Sequence, residues 1–301
     1  MKNKIKIGID LGGTKIEIIA INGANEVVHK KRIASPRHNY IKTIKVITDL
    51  VLTTEKQLNN LCTVGLAIPG SISPFSGKVR NGNSTWLNGK NLQNDINKSL
   101  GREVKISNDA NCFAVSEAID GSAYKFNSVF GVILGTGVGG GLVINKKLIN
   151  GHNGISGEWG HNEMPWNNRN ELEKRICWCG LENCIETFIS GPSLEKEYFN
   201  NFNEKLPLEE ISKKDINGDK NSNYIINNLV ERSAKALAFI INVYDPEAIV
   251  LGGGLSNINR LYSDIPNIWN NWIFSDECKT KLLKPKFGDS SGVRGAAWLH
   301  D

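Results

Sequence analysis

Ile5-Lys-Ile-Gly-Ile-Asp10-Leu-Gly12-Gly13-Thr14-Lys15 runs into Ile16-Glu-Ile-Ile-Ala-Ile21, and Val129-Phe-Gly-Val-Ile-Leu-Gly135-Thr136-Gly137-Val-Gly139-Gly140-Gly141 runs into Leu142-Val-Ile144. Each stretch reads as strand, glycine/threonine turn, strand, with β-branched residues on both sides of a tip that carries few side chains. Such a tip lets backbone N–H groups approach a phosphate closely. One such hairpin is commonly only a turn. Two of them, opening successive halves of the chain, predict a duplicated fold with one nucleotide held between the copies.

Rival phosphate-loop readings fail on context. Gly135-x-Gly137-x-x-Gly140 satisfies the dinucleotide fingerprint on paper, but that motif must open a helix, and here it enters the strand-like Leu142-Val-Ile-Asn145. The Gly-x4-Gly-Lys-Ser/Thr loop is absent from the sequence. A third run, Ala248-Ile-Val-Leu-Gly252-Gly253-Gly254, follows an apolar strand and precedes a helix-like stretch. It reads either as a tight turn or as a seat for an adenine ring or phosphate.

The 301 residues suffice for two domains, and 40% hydrophobic with 22% charged residues is the composition of a globular protein. No apolar run approaches a membrane span, and Met1-Lys-Asn-Lys leads into a strand, so a cytoplasmic address is expected. The net charge of +5 is dispersed; it suits an anionic nucleotide and would not carry nucleic-acid binding alone. Three of the six cysteines, Cys177, Cys179 and Cys184, fall together, which favours a metal over a disulfide. Cys62, Cys112 and Cys278 read as inert thiols.

Along the chain, strands are expected at 4–10, 15–21, 26–33, 63–68 and 103–107, with helices near 40–60 and 110–119. A second unit opens near Ser128; residues 200–223 carry little periodicity and read as exposed, and a helix is expected over 224–244 before Pro246. The expected domains are 1–118 and 119–289, with a closing helix near 290–301 that packs back on the first.

Asn108-Asp109 sits where a strand hands over to a helix. An acid there is an ordinary N-cap, or a general base whose charge the helix N-terminus maintains and whose direction it fixes. Asp10 is either a turn-forming Asp or a carboxylate for Mg2+ beside the phosphates. Gly157-Glu158-Trp159-Gly160-His161 followed by Cys177-Trp-Cys179-Gly-Leu-Glu-Asn-Cys184-Ile-Glu186 offers one imidazole and three thiolates, a closed tetrahedral set for structural zinc. Glu158 and Glu186 bracket that segment, and ordering it would fix both; each alone reads as a solvated surface acid.

Taken together, Asp10-Leu-Gly-Gly-Thr-Lys15, Asn108-Asp-Ala-Asn111, Gly135-Thr-Gly-Val-Gly-Gly-Gly141, Gly157-Glu-Trp-Gly-His161 with its Cys-x-Cys-Gly run, and Leu251-Gly-Gly-Gly254 resemble the ROK (repressor, open reading frame, kinase) family over essentially the whole chain. The resemblance implies an α/β, actin-like and hexokinase-like duplicated fold, two domains around a cleft, and transfer of the ATP γ-phosphate to a sugar hydroxyl. It implies Asp109 as base, and ATP with Mg2+ held by Asp10, Gly12, Gly13, Thr14, Lys15, Gly135, Thr136, Gly137, Gly252, Gly253 and Gly254. Structural Zn2+ would sit on His161, Cys177, Cys179 and Cys184, and the sugar on Gly70, Asn83, Asn108, Asp109, Glu158, His161 and Glu186. Within the family, Ile68-Pro-Gly-Ser-Ile-Ser-Pro74, Asn83-Ser-Thr-Trp-Leu-Asn88, Glu158-Trp-Gly-His-Asn162 and Gly288-Asp-Ser-Ser-Gly-Val-Arg-Gly-Ala-Ala-Trp298 look most like bacterial fructokinases. The expectation is therefore a hexose 6-kinase preferring D-fructose, with N-acetylglucosamine, glucose or mannose as alternatives. Its partner is the hexose, not nucleic acid or membrane, with room left for a homodimer. A sugar-sensing repressor would need an N-terminal helix-turn-helix, for which strand 4–10 leaves no room, and a non-catalytic sensor would be expected to lose the acid at 109. Two departures from the family pattern stand out: Asn183 where Gly usually precedes the third cysteine, and a long gap from His161 to Cys177.

Overall fold

A computed structural model describes residues 5–167 and 174–301, and of Asp289 the backbone alone. In chain order the strands are β1 (Lys6–Leu11), β2 (Lys15–Ile21), β3 (Val27–Ala34), β4 (Thr63–Ile68), β5 (Ser71–Ile72), β6 (Val79–Arg80), β7 (Val104–Asn108), β8 (Ser128–Leu134), β9 (Val138–Ile144), β10 (Lys147–Leu148), β11 (Ala248–Gly252) and β12 (Lys281–Leu283). The α-helices are α1 (Tyr40–Leu58), α2 (Leu92–Leu100), α3 (Asp109–Ile119), α4 (Glu186–Ile189), α5 (Gly191–Phe202), α6 (Leu208–Ile216), α7 (Lys220–Tyr244), α8 (Arg260–Ile268) and α9 (Ser291–Ala297).

Two five-stranded sheets share one topology. The first runs β3-β2-β1-β4-β7, with β1 antiparallel to β2 and parallel to β4, and β4 parallel to β7. The second runs β10-β9-β8-β11-β12, with β8, β11 and β12 parallel. In each sheet a glycine hairpin is followed by parallel strands, as the two opening motifs predict. Gly12 N donates to Lys15 O at 2.9 Å across the first tip, and Gly135 N to Gly137 O at 3.0 Å across the second. No helix among the described residues is long and apolar enough to cross a membrane.

The chain divides into two compact units, one of residues 1–127, 141–156 and 286–301, the other of 128–140 and 157–285. The expected boundary at 118/119 falls one residue before the end of α3, and the expected closing helix is α9. The transfer of 141–156 to the first unit has no sequence signal, because the division falls inside the uninterrupted strand β9.

In the first unit Ile7, Ile9, Leu11, Ile16, Ile18, Val64, Leu66 and Ile68 join Ile47 and Val51 of α1 in one buried cluster. The other side of the sheet is built for backbone approach. Gly8 and Gly65 are paired neighbours on β1 and β4. A Cβ on Gly8 would lie 2.0 Å from Val293 O, and one on Gly65 1.8 Å from Ala296 O, so α9 rests on bare sheet backbone. On the side towards α3, a Cβ on Gly295 would lie 1.6 Å from Cys112 O. The fully buried Glu117 ties the pair together, accepting from Ser122 N at 2.9 Å, Lys286 N at 3.1 Å and Ser291 Oγ at 2.8 Å. Asp120 accepts from Arg294 Nε at 2.8 Å.

The second unit corrects the reading of 200–223. Leu208, Ile211 and Asp215 are buried on α6, and Ser222, Ile225 and Ile226 on the first turns of α7. With so few apolar residues the segment lacks a visible period, and tertiary packing makes it helical. Inside this unit Glu197 of α5 accepts from Arg232 at 2.6 Å and Arg175 at 3.0 Å. Burial alone would raise its pKa, but the two guanidinium groups hold it below the usual carboxylate range.

Gly295→Ala has to push α9 off α3, because the colliding atom is backbone. We expect a loss of about 1–3 kcal/mol and a fall in melting temperature of several degrees, read by thermal unfolding. An unchanged melting temperature would refute the close-contact argument.

Candidate functional site

The first unit presents Asn108 and Asp109 at the end of a parallel strand, where α3 begins. Asn108 is the N-cap: its Oδ1 accepts from Ala110 N at 2.9 Å and Asn111 N at 3.4 Å, and its Nδ2 donates to Gly70 O at 3.1 Å. Capping therefore falls to Asn108, and Asp109 is the first helical residue, exposed, with Oδ1 2.9 Å from Ala110 N. Gly70 follows β4 with φ +81, and a Cβ there would meet Arg80 O at 2.4 Å. That turn brings its carbonyl to Asn108. Asn83 is exposed between the buried Gly82 and Ser84, and Gly82 is pinned by Asn88 at 2.9 and 3.1 Å. The neighbouring Ser84 Oγ is 3.7 Å from the Cβ position of Gly13, so this loop borders the first hairpin.

Thr14 and Lys15 are exposed at that hairpin and Gly12 and Gly13 half-buried. Arg37, which sequence reasoning missed, donates Nε to Gly13 O at 2.8 Å and adds a second cation beside Lys15. No motif marks it; the signal is only a basic residue just after a strand that pairs with the hairpin. Asp10 is pushed up to about 6, by burial first, then by the charges of Asp109 and Glu17, which outweigh Lys15 and Arg32.

The second unit brings together His161, Cys177, Cys179 and Cys184, whose ligand atoms all lie within 4.8 Å of one another. Cys179 Sγ is 3.7 Å from Cys184 Sγ, and Cys177 Sγ 3.6 Å from His161 Nδ1. A tetrahedron of Zn–S bonds has an edge of about 3.8 Å, so the donor set fits zinc in number, softness and spacing. Burial pushes the Cys184 thiol up to about 12 and raises Cys177 as well, so these sulfurs keep their protons unless a cation replaces them. Asn183 has φ +57, and its side chain accepts from Arg175 N at 3.0 Å. That conformation accounts for the departure: Asn tolerates the left-handed region that otherwise calls for Gly. Residues 168–173 of the long gap lie outside the described residues.

Glu186 joins this loop to the second hairpin. Its Oε2 accepts from Val138 N at 2.8 Å, and its Oε1 from Trp178 Nε1 at 2.7 Å. A Cβ on Gly137 would stand 2.7 Å from Oε2, so glycine there admits the carboxylate. Glu158 caps a 3-10 turn (Trp159–His161) that carries His161, with His161 N donating to Glu158 O at 3.2 Å. Gly135 O accepts from Gly191 N at 2.9 Å, fixing the hairpin to the start of α5. Gly252 ends β11; Gly253, at φ +78, and Gly254 are exposed and lead into a 3-10 turn (Gly254–Asn257) rather than a full helix. Cys62 and Cys112 are buried thiols, raised respectively to about 11 and well above the ordinary value by burial, with Asp10 and Asp109 adding to the rise at Cys112.

The ROK family profile matches residues 6–301. The chain belongs to the ROK family. N-acetyl-D-glucosamine kinases of Photobacterium profundum and Vibrio cholerae are each 39% identical to it over 97% of this chain and 98% of theirs. That of Pectobacterium atrosepticum is 36% identical over the same shares. A ROK hexokinase structure from Thermus thermophilus superposes with a TM-score of 0.87 at 24% identity, covering 98% of this chain and 97% of that one, and so shares the actin-like fold. Within the family the chain is a sugar kinase. The fructokinase likeness expected from its motifs is unconfirmed, these relatives being N-acetyl-D-glucosamine kinases.

Because Asp10 in the folded chain holds its proton up to about pH 6, and an unfolded Asp loses it near 3.8, the contribution of Asp10 to stability declines as pH rises between those values and is level above them. Asp10→Asn removes this effect. Above pH 6 the variant should be the more stable by about 1–3 kcal/mol, and the two should converge near pH 4. Thermal melts of nucleotide-free protein across that range test it; a difference independent of pH would contradict the burial argument.

Proposed function

We propose that this ROK kinase transfers the γ-phosphoryl group of ATP to the 6-hydroxyl of N-acetyl-D-glucosamine. The observation that carries the choice of sugar is the 36–39% identity over nearly the whole length of N-acetyl-D-glucosamine kinases. Fructose, first in the sequence expectation, rests on motif likeness alone.

In this reading Asp109 accepts the proton of the attacking hydroxyl. Its place at the start of α3 fixes its direction, and Asn108, locked to Gly70 and to the helix, sets its backbone. Phosphoryl transfer depends mainly on positioning and charge neutralisation. The glycine hairpins offer backbone N–H groups to the phosphates, with Lys15 and Arg37 adding charge, and Asp10 is the carboxylate for Mg2+. Within the first unit Asn83, Asn108 and Gly70 are candidate sugar residues, and within the second, taken by itself, Glu158, His161 and Glu186 are. We assign His161, Cys177, Cys179 and Cys184 to a structural Zn2+, which would order the loop carrying His161 and Glu186.

Coupled ADP-release assays over N-acetylglucosamine, glucose, mannose and fructose test the sugar: kcat/KM should be highest for N-acetylglucosamine, and a higher value for fructose would reverse the assignment. Asp109→Asn should lose about 10²–10⁴ in kcat with sugar binding retained, since only the proton acceptor is gone.

Protein purified without chelator should carry about one zinc per chain, and Cys179→Ser should lose it together with sugar affinity, because metal binding and local folding are coupled. Elemental analysis reads the first and calorimetric titration the second; zinc-free protein of full sugar affinity would remove the metal from the structure.

A further inference from the structure

Trp178 lies between two of the zinc-set cysteines, and its side chain is 67% exposed. A large apolar residue on a metal loop has no need to face solvent. Yet its orientation is fixed at two points: Nε1 donates to Glu186 Oε1 at 2.7 Å, and its ring meets His161 edge-on, with centroids 5.1 Å apart and planes at 85°. It therefore contacts two residues placed in the sugar set while keeping most of its own surface open.

The carboxylate of Glu186 has about four acceptor positions. Val138 N takes one at Oε2, and at Oε1 Trp178 Nε1 takes one while the Cys177 thiol stands 3.9 Å away. The remaining positions can receive hydroxyls, and the two donors determine which way they point. An unanchored glutamate would sample several rotamers, each wrongly directed for a fixed hydroxyl pattern.

We propose that Trp178 is a positioning residue for the sugar. Its indole N–H fixes Glu186 for a sugar hydroxyl, and the edge contact fixes the His161 ring beside it. The proposal rests on the reading of Glu186 as a sugar ligand. A hydrogen bond to a charged acceptor that orients a ligand equally in the ground and transition states acts on KM rather than kcat.

The experiment compares Trp178→Phe, Trp178→His and Glu186→Gln, each with zinc content and steady-state constants for N-acetylglucosamine. Phe keeps an aromatic ring against His161 and removes only the N–H. Its sugar KM should rise about 5- to 20-fold with kcat within about twofold and zinc unchanged. His, which can donate, should recover part of the loss. An unchanged KM in Trp178→Phe, or a loss of zinc accompanying the rise in KM, overturns the positioning role. If Glu186→Gln weakens sugar binding while Trp178→Phe does not, the ligand reading stands and this proposal alone fails. If Glu186→Gln leaves the sugar KM unchanged, the ligand reading fails and the proposal with it.

Discussion

The backbone of α9 touches the backbone of the first sheet and of α3, and the proposed base is oriented by that contact. A helix normally stands off a sheet by the thickness of two layers of side chains. Here Gly8 and Gly65 remove those layers towards the sheet and Gly295 does the same towards α3, leaving carbonyl oxygens where Cβ atoms would be. The arrangement gives up apolar burial on that face and gains rigidity, because backbone surfaces have no rotamers to sample. Glu117 supplies polar closure, satisfying donors from three segments, and Asp120 with Arg294 fixes the far end of α3. Asp109 thus begins a helix that is held along its length while its own carboxyl faces outward.

The second unit solves a different problem, since its functional groups sit on loops. A hairpin of Gly135-Thr136-Gly137 has one side chain, that of Thr136, with which to stiffen itself. Glu186 provides the stiffness from outside by accepting the Val138 amide, and only a glycine at 137 leaves it space. The same acid reaches the cysteine loop through Trp178. One carboxylate therefore serves two loops, and substitutions at 137, 178 or 186 should be non-additive because they share that acceptor.

Much of this architecture was legible because its signals are local. Strands β1, β2 and β4 announce themselves as β-branched runs ending at glycine or Pro-Gly, and the cysteine spacing marks a candidate metal loop without reference to anything distant. What stayed hidden depends on partners far away in sequence. Glu117 reads as an ordinary helical acid until Lys286 and Ser291 are beside it, and α6 has too few apolar residues to show a period. Asn183 looked like a departure, yet its positive φ makes it a substitute for glycine; the sequence carries residue types but not dihedral angles. Trp178 was visible as a letter between two cysteines, with nothing to say that its N–H finds Glu186.

The choice of sugar is hidden for a deeper reason. Residues that bind hydroxyls common to the candidate hexoses contribute alike to each of them, so the proposed sugar ligands Asn83, Asn108 and Glu158 would largely cancel in a ratio of kcat/KM values. Discrimination comes from the group that differs, which for N-acetylglucosamine is an acetamido substituent with a methyl, a carbonyl and an N–H. A site that hydrogen-bonds that amide rejects a hexose lacking it, because its own buried polar atoms would be left unpaired, whereas a site that merely leaves space for the methyl discriminates weakly. The amide partner can be a backbone group with no sequence signature. Full-length similarity integrates such backbone placement over the whole chain, while short motifs sample only the shared hydroxyl ligands. That is why identity to N-acetyl-D-glucosamine kinases outweighs motif likeness to fructokinases in the proposed choice of sugar.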